Sequence, residues 1–551
     1  MVVKSLSAQT GISESVLRLL LSILFAYPIS LIYKLTLVRP LKTKWAPFIR
    51  NLYVVIAGLS LSYFYNGPYI IHSLITTFVT WLLCYFGSLF RNRTFSAIAS
   101  LLFNVIYLVT GYYMTATDEY DVSWTMTQCV LCLRMIGFAM DFMDGEKLLK
   151  SKPPVNAKEN KENSGNTNEK SIDTKKNSQQ TELSTNTRPQ KQPISFEKNI
   201  QLATLPSLIE TIGYSHFFGA FLIGPQFSFH LYRKFITMSL YPDPTNVPPG
   251  SYWHALKSFL LGALYLGVQQ VGAGYFPQYY LVTAEYANKP FIHKIIIMWW
   301  TGKFILSKYL GIWTLSEGAC ILSGISFNGY DDNGNVEWNG LANVEKWKFE
   351  FAPSLSQIIG SFNTNTNLWT KLYIFKRLIF LGNKQLSSII SLIFLALWHG
   401  LHSGYYFCFG LEFIDMEVEK RWAKRFERYT KPLYLPQNNF KFLKYLHMFV
   451  GWLGQTCALH YAIISFGLLK WEYVIIAYNS VYWIGHTLVF GLLFLDIILP
   501  RPKVKKVAET NGIVKVDKEI NGGAKIDKEI NGVTKLDKVN GYIINDTKIE
   551  R

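Results

Sequence analysis

Two histidines in an apolar stretch of this chain are the residues best suited to chemistry. His399 and His402 lie in the segment Ser391 to Gly404, SLIFLALWHGLHSG, which contains no other ionisable side chain. An ionisable group inside a bilayer costs at least a few kcal/mol unless it has a partner or a function. Because a neutral imidazole can act as a general base near pH 7, the pattern predicts proton transfer at one of them. A hydrogen-bonded packing role is the alternative.

The spacing of the two histidines sets a geometric expectation. They are three residues apart, so in a continuous helix both imidazoles share one face. Gly400 and Gly404 would let a long, thin substrate approach that helix closely. No further ligand pair accompanies the histidines, so a metal site is not predicted. If His399 is the reactive group, His402 is its neighbour near the wall of the site.

A second polar cluster lies earlier in the chain, in the segment Ser361 to Leu378, SFNTNTNLWTKLYIFKRL. Asn363 and two further asparagines precede a helical pattern that carries Lys376 and Arg377. Asparagine and threonine are also ordinary residues at helix N-termini and turns. The cations could bind phosphate, although at helix ends such side chains are more often surface charges. By itself this segment is a weak indication of a site.

The elements that must position these residues are membrane-spanning helices. Of the 551 residues, 50% are hydrophobic and only 17% are charged, which is too apolar for a soluble protein. The sequence predicts an all-α, polytopic integral membrane protein with about eleven transmembrane helices, some of them re-entrant or broken. The apolar windows are 16–38, 48–65, 69–90, 96–115, 124–143, 206–229, 255–277, 291–325, 384–414, 444–468 and 472–499.

Composition divides the chain into four parts. The first is a set of transmembrane helices (1–150), followed by a disordered polar linker (151–198), a membrane core (199–500) and a disordered, repetitive tail (501–551). A further polar stretch, 327–368, keeps several aromatic residues and is predicted to be ordered.

The charge balance points to lipids or phosphate as partners. The net charge is +18, and most of it remains when the linker and the tail are set aside. Such a surplus suits anionic headgroups or a polyphosphate ligand. Nucleic acid is not a predicted partner, because the basic segments do not alternate with aromatic residues. Hydrolase and ATP-driven pump functions lack their usual G-x-S-x-G and phosphate-loop motifs.

These motifs resemble the membrane-bound O-acyltransferase family, in particular the branch that acylates lysophospholipids. In that family the catalytic residues are an Asn in a W/F-N-x-x-x-x-x-W motif and a His in a W-H-G motif. The matching residues are Asn363, between Phe362 and Trp369, and His399, in the tripeptide Trp-His-Gly. The similar segments are Gly111–Gly137, Leu315–Gly329, Ser361–Lys384 and Leu395–Tyr406.

The resemblance implies a catalytic chamber in which acyl-CoA and a lysophospholipid meet at His399. It implies transfer of a polyunsaturated acyl chain to the sn-2 hydroxyl of lysophosphatidylcholine, with lysophosphatidylserine, lysophosphatidylethanolamine and lysophosphatidylinositol as alternative acceptors. Asn363 would either orient the acceptor or stabilise the developing oxyanion. The expected substrate-binding residues are Trp398, His402, Tyr405, Lys376 and Arg377.

The resemblance also implies the endoplasmic reticulum membrane as location, membrane lipids as partners and no cofactor besides acyl-CoA as co-substrate. The oligomeric state, including a homodimer, stays open. A lipid transporter is the competing interpretation, since it too accounts for many spans and buried polar residues such as Glu317. It predicts internal symmetry between two halves, which the sequence lacks, and it leaves the motifs of Asn363 and His399 unexplained.

Overall fold

Helices form the regular structure of this protein. A computed structural model describes residues 2–117, 122–150, 194–197, 199–435 and 441–500. Within these ranges two isolated β-bridges join Tyr330 to Val336 and Val344 to Phe362, and the remaining regular elements are helical. The prediction of an all-α fold is confirmed. The predicted tail and residues 151–193 of the predicted linker lie outside the described residues.

The described residues form twenty α-helices, numbered in chain order. Helices α1 to α7 are Val2–Thr10, Glu14–Leu37, Ala46–Asn66, Ile70–Leu89, Arg93–Thr115, Trp124–Asp144 and Glu146–Lys150. Helices α8 to α14 are Leu208–Ser215, Phe229–Thr237, Ser251–Tyr275, Ala284–Ala287, Phe291–Ser323, Lys346–Phe351 and Leu355–Ser361. Helices α15 to α20 are Thr364–Tyr373, Lys384–His399, Ser403–Thr430, Lys441–Leu468, Trp471–Ser480 and Ile484–Ile498. Short 3-10 helices are Gly67–Tyr69, Ile194–Phe196, Gln278–Val282, Phe375–Leu381 and Lys431–Tyr434.

Several of these helices are long and apolar enough to cross a bilayer. Among the described residues six segments qualify, and a seventh is added if α19 and α20, bent by 79° at their junction, form one broken span. The protein is therefore a multi-pass membrane protein. The six segments are Glu14–Leu37, Ala46–Leu89, Arg93–Thr115, Trp124–Leu149, Ser251–Val282 and Phe291–Ser323.

The window 206–229, predicted as a spanning segment, is not a continuous helix. Helix α8 ends at Ser215, and an irregular chain leads to α9. The Arg134 guanidinium, 1% exposed, donates hydrogen bonds of 3.0–3.3 Å to four carbonyl oxygens of this region. Buried protein surroundings permit such irregular backbone, because its polar groups find partners there. The segment is apolar because Phe217 and its neighbours pack inside the protein, not because they face lipid.

The helices on either side of the predicted linker share one hydrophobic core. The Tyr27 hydroxyl of α2 donates to the Leu315 carbonyl of α12 at 2.8 Å, and the Ser30 hydroxyl donates to the Ala319 carbonyl at 2.9 Å. Both contacts are buried or partly buried, where a hydrogen bond is strengthened by the low dielectric. The predicted parts 1–150 and 199–500 thus belong to a single compact unit.

The last residues of the predicted linker also belong to this unit. Ser195 is fully buried, and its carbonyl accepts a 2.9 Å hydrogen bond from the Ser228 backbone N–H. The Phe196 ring packs edge-on against Tyr373, with 5.9 Å between centroids. The predicted linker is polar on average, but its last residues form a short apolar segment that packs into the protein. An average of the linker's composition does not reveal this segment.

The polar stretch 327–368 is ordered, as predicted. Trp338 is 2% exposed, and its indole N–H donates to the Pro249 carbonyl at 3.1 Å. The Lys346 ammonium forms a 2.7 Å ion pair with the buried Glu317 carboxylate of α12. These contacts hold the stretch against the membrane helices, and within it residues 343–345 lie beside the segment that contains Asn363.

Candidate active site

His399 is the last residue of α16, and the following glycine ends that helix. Gly400 has φ +143° and ψ −173°, a conformation open essentially only to glycine. The residue before the histidine is held at two points. The Trp398 carbonyl accepts a 2.7 Å hydrogen bond from the Tyr112 hydroxyl, and its indole N–H donates to the Cys129 carbonyl at 2.7 Å. The imidazole is thereby fixed at the C-terminus of a well-anchored helix.

The expectation that His399 and His402 share one helix face is wrong. The helix stops at His399, and His402 occupies the N-cap position of α17 with extended backbone. The i, i+3 rule applies only within a continuous helix. This condition is not met here, because the backbone of Gly400 departs from helical geometry. The His402 ring lies 6.1 Å from the Tyr405 ring, edge to face, so it remains a neighbour of the site.

The expected role of Gly404 also changes. A Cβ at this position would come within 2.1 Å of the Ser465 carbonyl oxygen. The Gly404 backbone N–H donates to the Leu469 carbonyl at 2.7 Å. The missing side chain therefore lets α18 approach α17, and the space is filled by protein rather than by a substrate.

Aromatic rings surround the His399 imidazole. Its ring centroid lies 5.0 Å from Phe466, 5.5 Å from Phe409 and 5.6 Å from Tyr405. The imidazole is half-buried, and no hydrogen bond joins either ring nitrogen to another described residue. Such rings keep the imidazole in an apolar, water-poor environment without occupying its proton-accepting nitrogen.

Asn363 occupies the N-cap position of α15 in a left-handed conformation, with φ +47°. Asparagine adopts this region more readily than other residues with a side chain. The segment before α15 pairs with residues 343–345, because the Glu345 N–H donates to the Ser361 carbonyl at 2.8 Å and the Thr364 N–H to the Asn343 carbonyl at 3.0 Å. The Asn343 amide donates a 3.0 Å hydrogen bond to Oδ1 of Asn363.

The pairings after Asn363 fit a helical hairpin that has the two motif residues towards the same end. After α15 the chain turns at Gly382 and returns as α16. The Ser387 hydroxyl donates to the Leu378 carbonyl near the turn, and farther along, Trp369 stacks on Phe394 at 5.8 Å. These pairings fit an antiparallel arrangement. Continuing the same register leads from Trp369 back to Asn363 on one helix and from Phe394 on to His399 on the other.

A continuous row of ring contacts also joins the two residues. Phe466, which contacts His399, lies 6.0 Å from Tyr309 of α12. Tyr309 lies 5.7 Å from Trp313, which lies 5.0 Å from Phe362, the residue before Asn363. No sequence pattern identified Tyr309, Trp313 or Phe466. Only the packing of α12 and α18 against the hairpin brings these rings together.

The two predicted phosphate-binding cations lie at the opposite end of this hairpin. Lys376 and Arg377 belong to the 3-10 helix Phe375–Leu381, beside the turn. Lys376 is exposed, whereas Arg377 forms a bidentate ion pair with Asp144 of α6. The cations therefore do not touch the environment of His399. Helix α15, about 15 Å long for its ten residues, separates them from Asn363, and α16 separates them from His399.

Comparisons with known proteins identify the family of this chain. The model of the membrane-bound O-acyltransferase family matches residues 109–464, a range that includes both motifs. A protein of Mus musculus named lysophospholipid acyltransferase 5 is 36% identical over 490 residues, covering 89% of this chain and 90% of its own. Proteins of the same name from Homo sapiens and Drosophila melanogaster are 35% and 34% identical, covering 94% and 87% of their own lengths. The chain belongs to the membrane-bound O-acyltransferase family.

Proposed function

We propose that this protein is a lysophospholipid acyltransferase that moves an acyl chain from acyl-CoA to the sn-2 hydroxyl of lysophosphatidylcholine, with preference for polyunsaturated chains. The observation that supports the proposal is the α15–α16 hairpin, whose pairings fit an arrangement with Asn363 and His399 towards one end, together with the row of ring contacts between them. Relatives named for lysophospholipid acylation match along nearly their whole lengths, and this supports the acceptor class.

The chemistry follows from what each residue type can do. A glycerol hydroxyl is a weak nucleophile, so a neutral imidazole, with an ordinary pKa of about 6.5, takes its proton during attack on the thioester carbonyl. The C–O bond forms, the C–S bond breaks, and the imidazolium returns the proton to the departing CoA thiolate. The rings of Tyr405, Phe409 and Phe466 exclude water around His399, which limits hydrolysis of the thioester.

The remaining predicted substrate-binding residues take different parts in this proposal. Trp398 anchors the end of α16 through its two hydrogen bonds, and the Tyr405 ring packs against the imidazole. Lys376 contacts CoA phosphates at the far end of the hairpin, which suits a donor whose phosphates are far from its thioester. Arg377 serves chiefly to join the 3-10 helix to α6 through Asp144.

The membrane setting extends the same proposal. Helices α16, α17 and α18 would also cross the bilayer, bringing the number of spans near eleven. Their inner faces would line the chamber in which acyl-CoA and lysolipid meet. The endoplasmic reticulum membrane is the proposed location.

The test is product profiling of the purified protein. The protein receives an equimolar mixture of lysolipids with choline, ethanolamine, serine and inositol headgroups, together with saturated and polyunsaturated acyl-CoAs. Mass spectrometry should find mainly polyunsaturated phosphatidylcholine. A different dominant headgroup would refute the choline preference but keep the reaction. Absence of any acylated product, with lysolipid moved across the membrane instead, would refute the enzyme.

A further inference from the structure

Asn343 bonds directly to Asn363 and is itself deeply buried. The exposed fraction of Asn343 is 2%, and its Nδ2 donates a 3.0 Å hydrogen bond to Oδ1 of Asn363. It lies twenty residues earlier in the chain, outside both motifs. The question is which end of each amide is the donor, because this decides what Asn363 can offer to a substrate.

The orientation of these amides follows from groups whose roles are unambiguous. The Asn365 Nδ2 group lies 3.1 Å from the Ala342 carbonyl oxygen, which can only accept a hydrogen bond. The same Nδ2 group lies 3.2 Å from Oδ1 of Asn343, and the backbone N–H of Asn365 lies 3.3 Å from that oxygen. Two donors therefore face one end of the Asn343 amide, and that end must be its oxygen.

The hydrogen bonds from Asn365 to Asn343 and from Asn343 to Asn363 form a relay of amides, and the fixed oxygen of Asn343 sets the orientation of the remaining groups. With its oxygen turned to Asn365, Asn343 presents its NH₂ group to Asn363. Asn363 must then turn its own oxygen to Asn343. Its NH₂ group is left pointing out of the relay, and it donates to no described residue.

We infer that Asn343 is a positioning residue that holds Asn363 as a hydrogen-bond donor, so that Asn363 stabilises the oxyanion formed from the thioester carbonyl. This inference rests on the proposed function. It decides between the two roles that the motif alone allows for Asn363. A donor held in place before the reaction stabilises developing negative charge without having to reorganise.

The relay explains two further features. The left-handed backbone of Asn363 is the first, because it places the side chain where it can take part in the relay. The pairing of residues 343–345 with 361–364 supports that conformation. The Lys346–Glu317 ion pair and the Val344–Phe362 bridge hold the segment that carries Asn343 in register with Asn363. A polar segment at the edge of the membrane core is thereby connected to the candidate active site.

The first experiment replaces Asn343 by aspartate, which keeps the shape and the acceptor towards Asn365 but removes the donor to Asn363. The Asn363 amide can then turn its NH₂ group towards the introduced carboxylate and lose its donor role. In N343D the kcat should fall by about tenfold or more, with the KM of each substrate within about twofold of wild type. An unchanged kcat in folded N343D would overturn the inference.

A pH profile separates positioning from a merely structural role. As pH falls, protonation of the buried carboxyl restores an O–H donor towards Asn363. The ratio of N343D to wild-type kcat should therefore rise as pH falls. His399, Glu345 and the Lys346–Glu317 pair are present in both proteins, so the ratio isolates the effect of the introduced carboxyl. A ratio that is reduced but constant with pH would refute the relay.

A second variant tests the donor directly and does not depend on how N343D folds. Asn363→Asp still accepts the hydrogen bond from Asn343 but offers no donor to the substrate. Its kcat should fall by about 100-fold or more, as in Asn363→Ala. Wild-type activity in Asn363→Asp with an inactive Asn363→Ala would show an acceptor role and overturn the inference. Wild-type activity in Asn363→Ala would instead refute the proposed role of Asn363 itself.

The chain provides a matched control for the aspartate substitution. The Asn328 amide donates to Oδ1 of Asn339 at 2.7 Å in the same polar stretch, but this pair is exposed. Asn328→Asp removes the same kind of bond away from the candidate site and should keep wild-type kcat at every pH. A loss equal to that of N343D would show that any broken amide pair in this stretch disturbs activity, and the inference would fall.

Discussion

Among single residues, the candidate site contains an imidazole whose nitrogens form no hydrogen bond with any other residue that the structure describes. The rings around His399 are apolar, and its position at the end of α16 is held through Trp398 rather than through bonds to the imidazole. His402 lies beyond the helix break and contacts Tyr405. The structure thus separates two histidines that look equivalent in the sequence.

The first prediction follows from this separation. His399→Ala should lower kcat by at least about 100-fold, because it removes the general base, while His402→Ala keeps most of the activity. Both variants are assayed as purified protein with acyl-CoA and lysophosphatidylcholine, and size-exclusion profiles check folding. Retained activity in His399→Ala together with an inactive His402→Ala would move the base to the second histidine.

The two cations at the hairpin turn provide a second residue-scale prediction. Lys376→Ala should raise the KM for acyl-CoA by about threefold to tenfold, because the proposed hydrogen bonds to phosphate are lost. Thermal stability should change little, because the Lys376 side chain is exposed. Arg377→Ala should instead lower the melting temperature, because it leaves Asp144 unpaired. An unchanged KM in Lys376→Ala would remove that residue from the proposed CoA contact.

At the scale of elements, the break between α16 and α17 places the imidazole. Gly400 is in a backbone region that costs other residues about 1–3 kcal/mol, and a Cβ there would approach the Tyr405 ring to 3.0 Å. Both effects act beside His399. We therefore expect the short irregular connection between the two helices to affect activity as well as stability.

Gly400→Ala tests this element. The substitution should lower the free energy of unfolding by about 1–3 kcal/mol and reduce kcat, because the strain is relieved by moving the end of α16 or the ring of Tyr405. Gly410→Ala is the matched control, since Gly410 lies within α17 and, apart from its own stretch of helix, no atom of the described residues stands within 4 Å of its added Cβ. Equal effects of the two substitutions on melting temperature and kcat would contradict the proposed role of the break.

At the scale of the whole molecule, the helices before and after the linker behave as one body. Helix α2 packs on α12 through the bonds of Tyr27 and Ser30. Residues 194–197 pack into the core on the far side of the linker. The family match also runs across both parts. Covalent continuity between the parts is therefore not what holds them together.

Cleavage of the linker tests this conclusion. A protease site introduced within residues 151–193, cut after purification, should leave two fragments that elute together and retain acyltransferase activity, because buried contacts between α2 and α12 remain. The uncut protein is the control. Separation of the fragments in mild detergent, or loss of activity on cutting alone, would show that the contacts between the parts are too weak to hold the core.

The membrane class, most of the long helices and the two motif residues could be predicted from the amino-acid pattern. Long apolar runs have a large favourable free energy of transfer from water to the bilayer, so they can be recognised in a sequence. Polar residues are rare within such runs and are therefore easy to identify. The same signal does not distinguish lipid-facing from protein-facing surface. The window 206–229 was therefore predicted as a span, whereas the structure shows irregular chain whose carbonyls Arg134 satisfies.

The tertiary structure alone decided how the candidate site is built. Asn343, Tyr309 and Phe466 reach it from distant segments, and no local spacing reveals a contact between residues far apart in the chain. The separation of His399 from His402 depends on the break between α16 and α17 at residues 400–402, which a pattern of residue types does not encode. Side-chain chemistry can be read along a chain, but the direction of each donor and acceptor is set by the partners that folding brings to it.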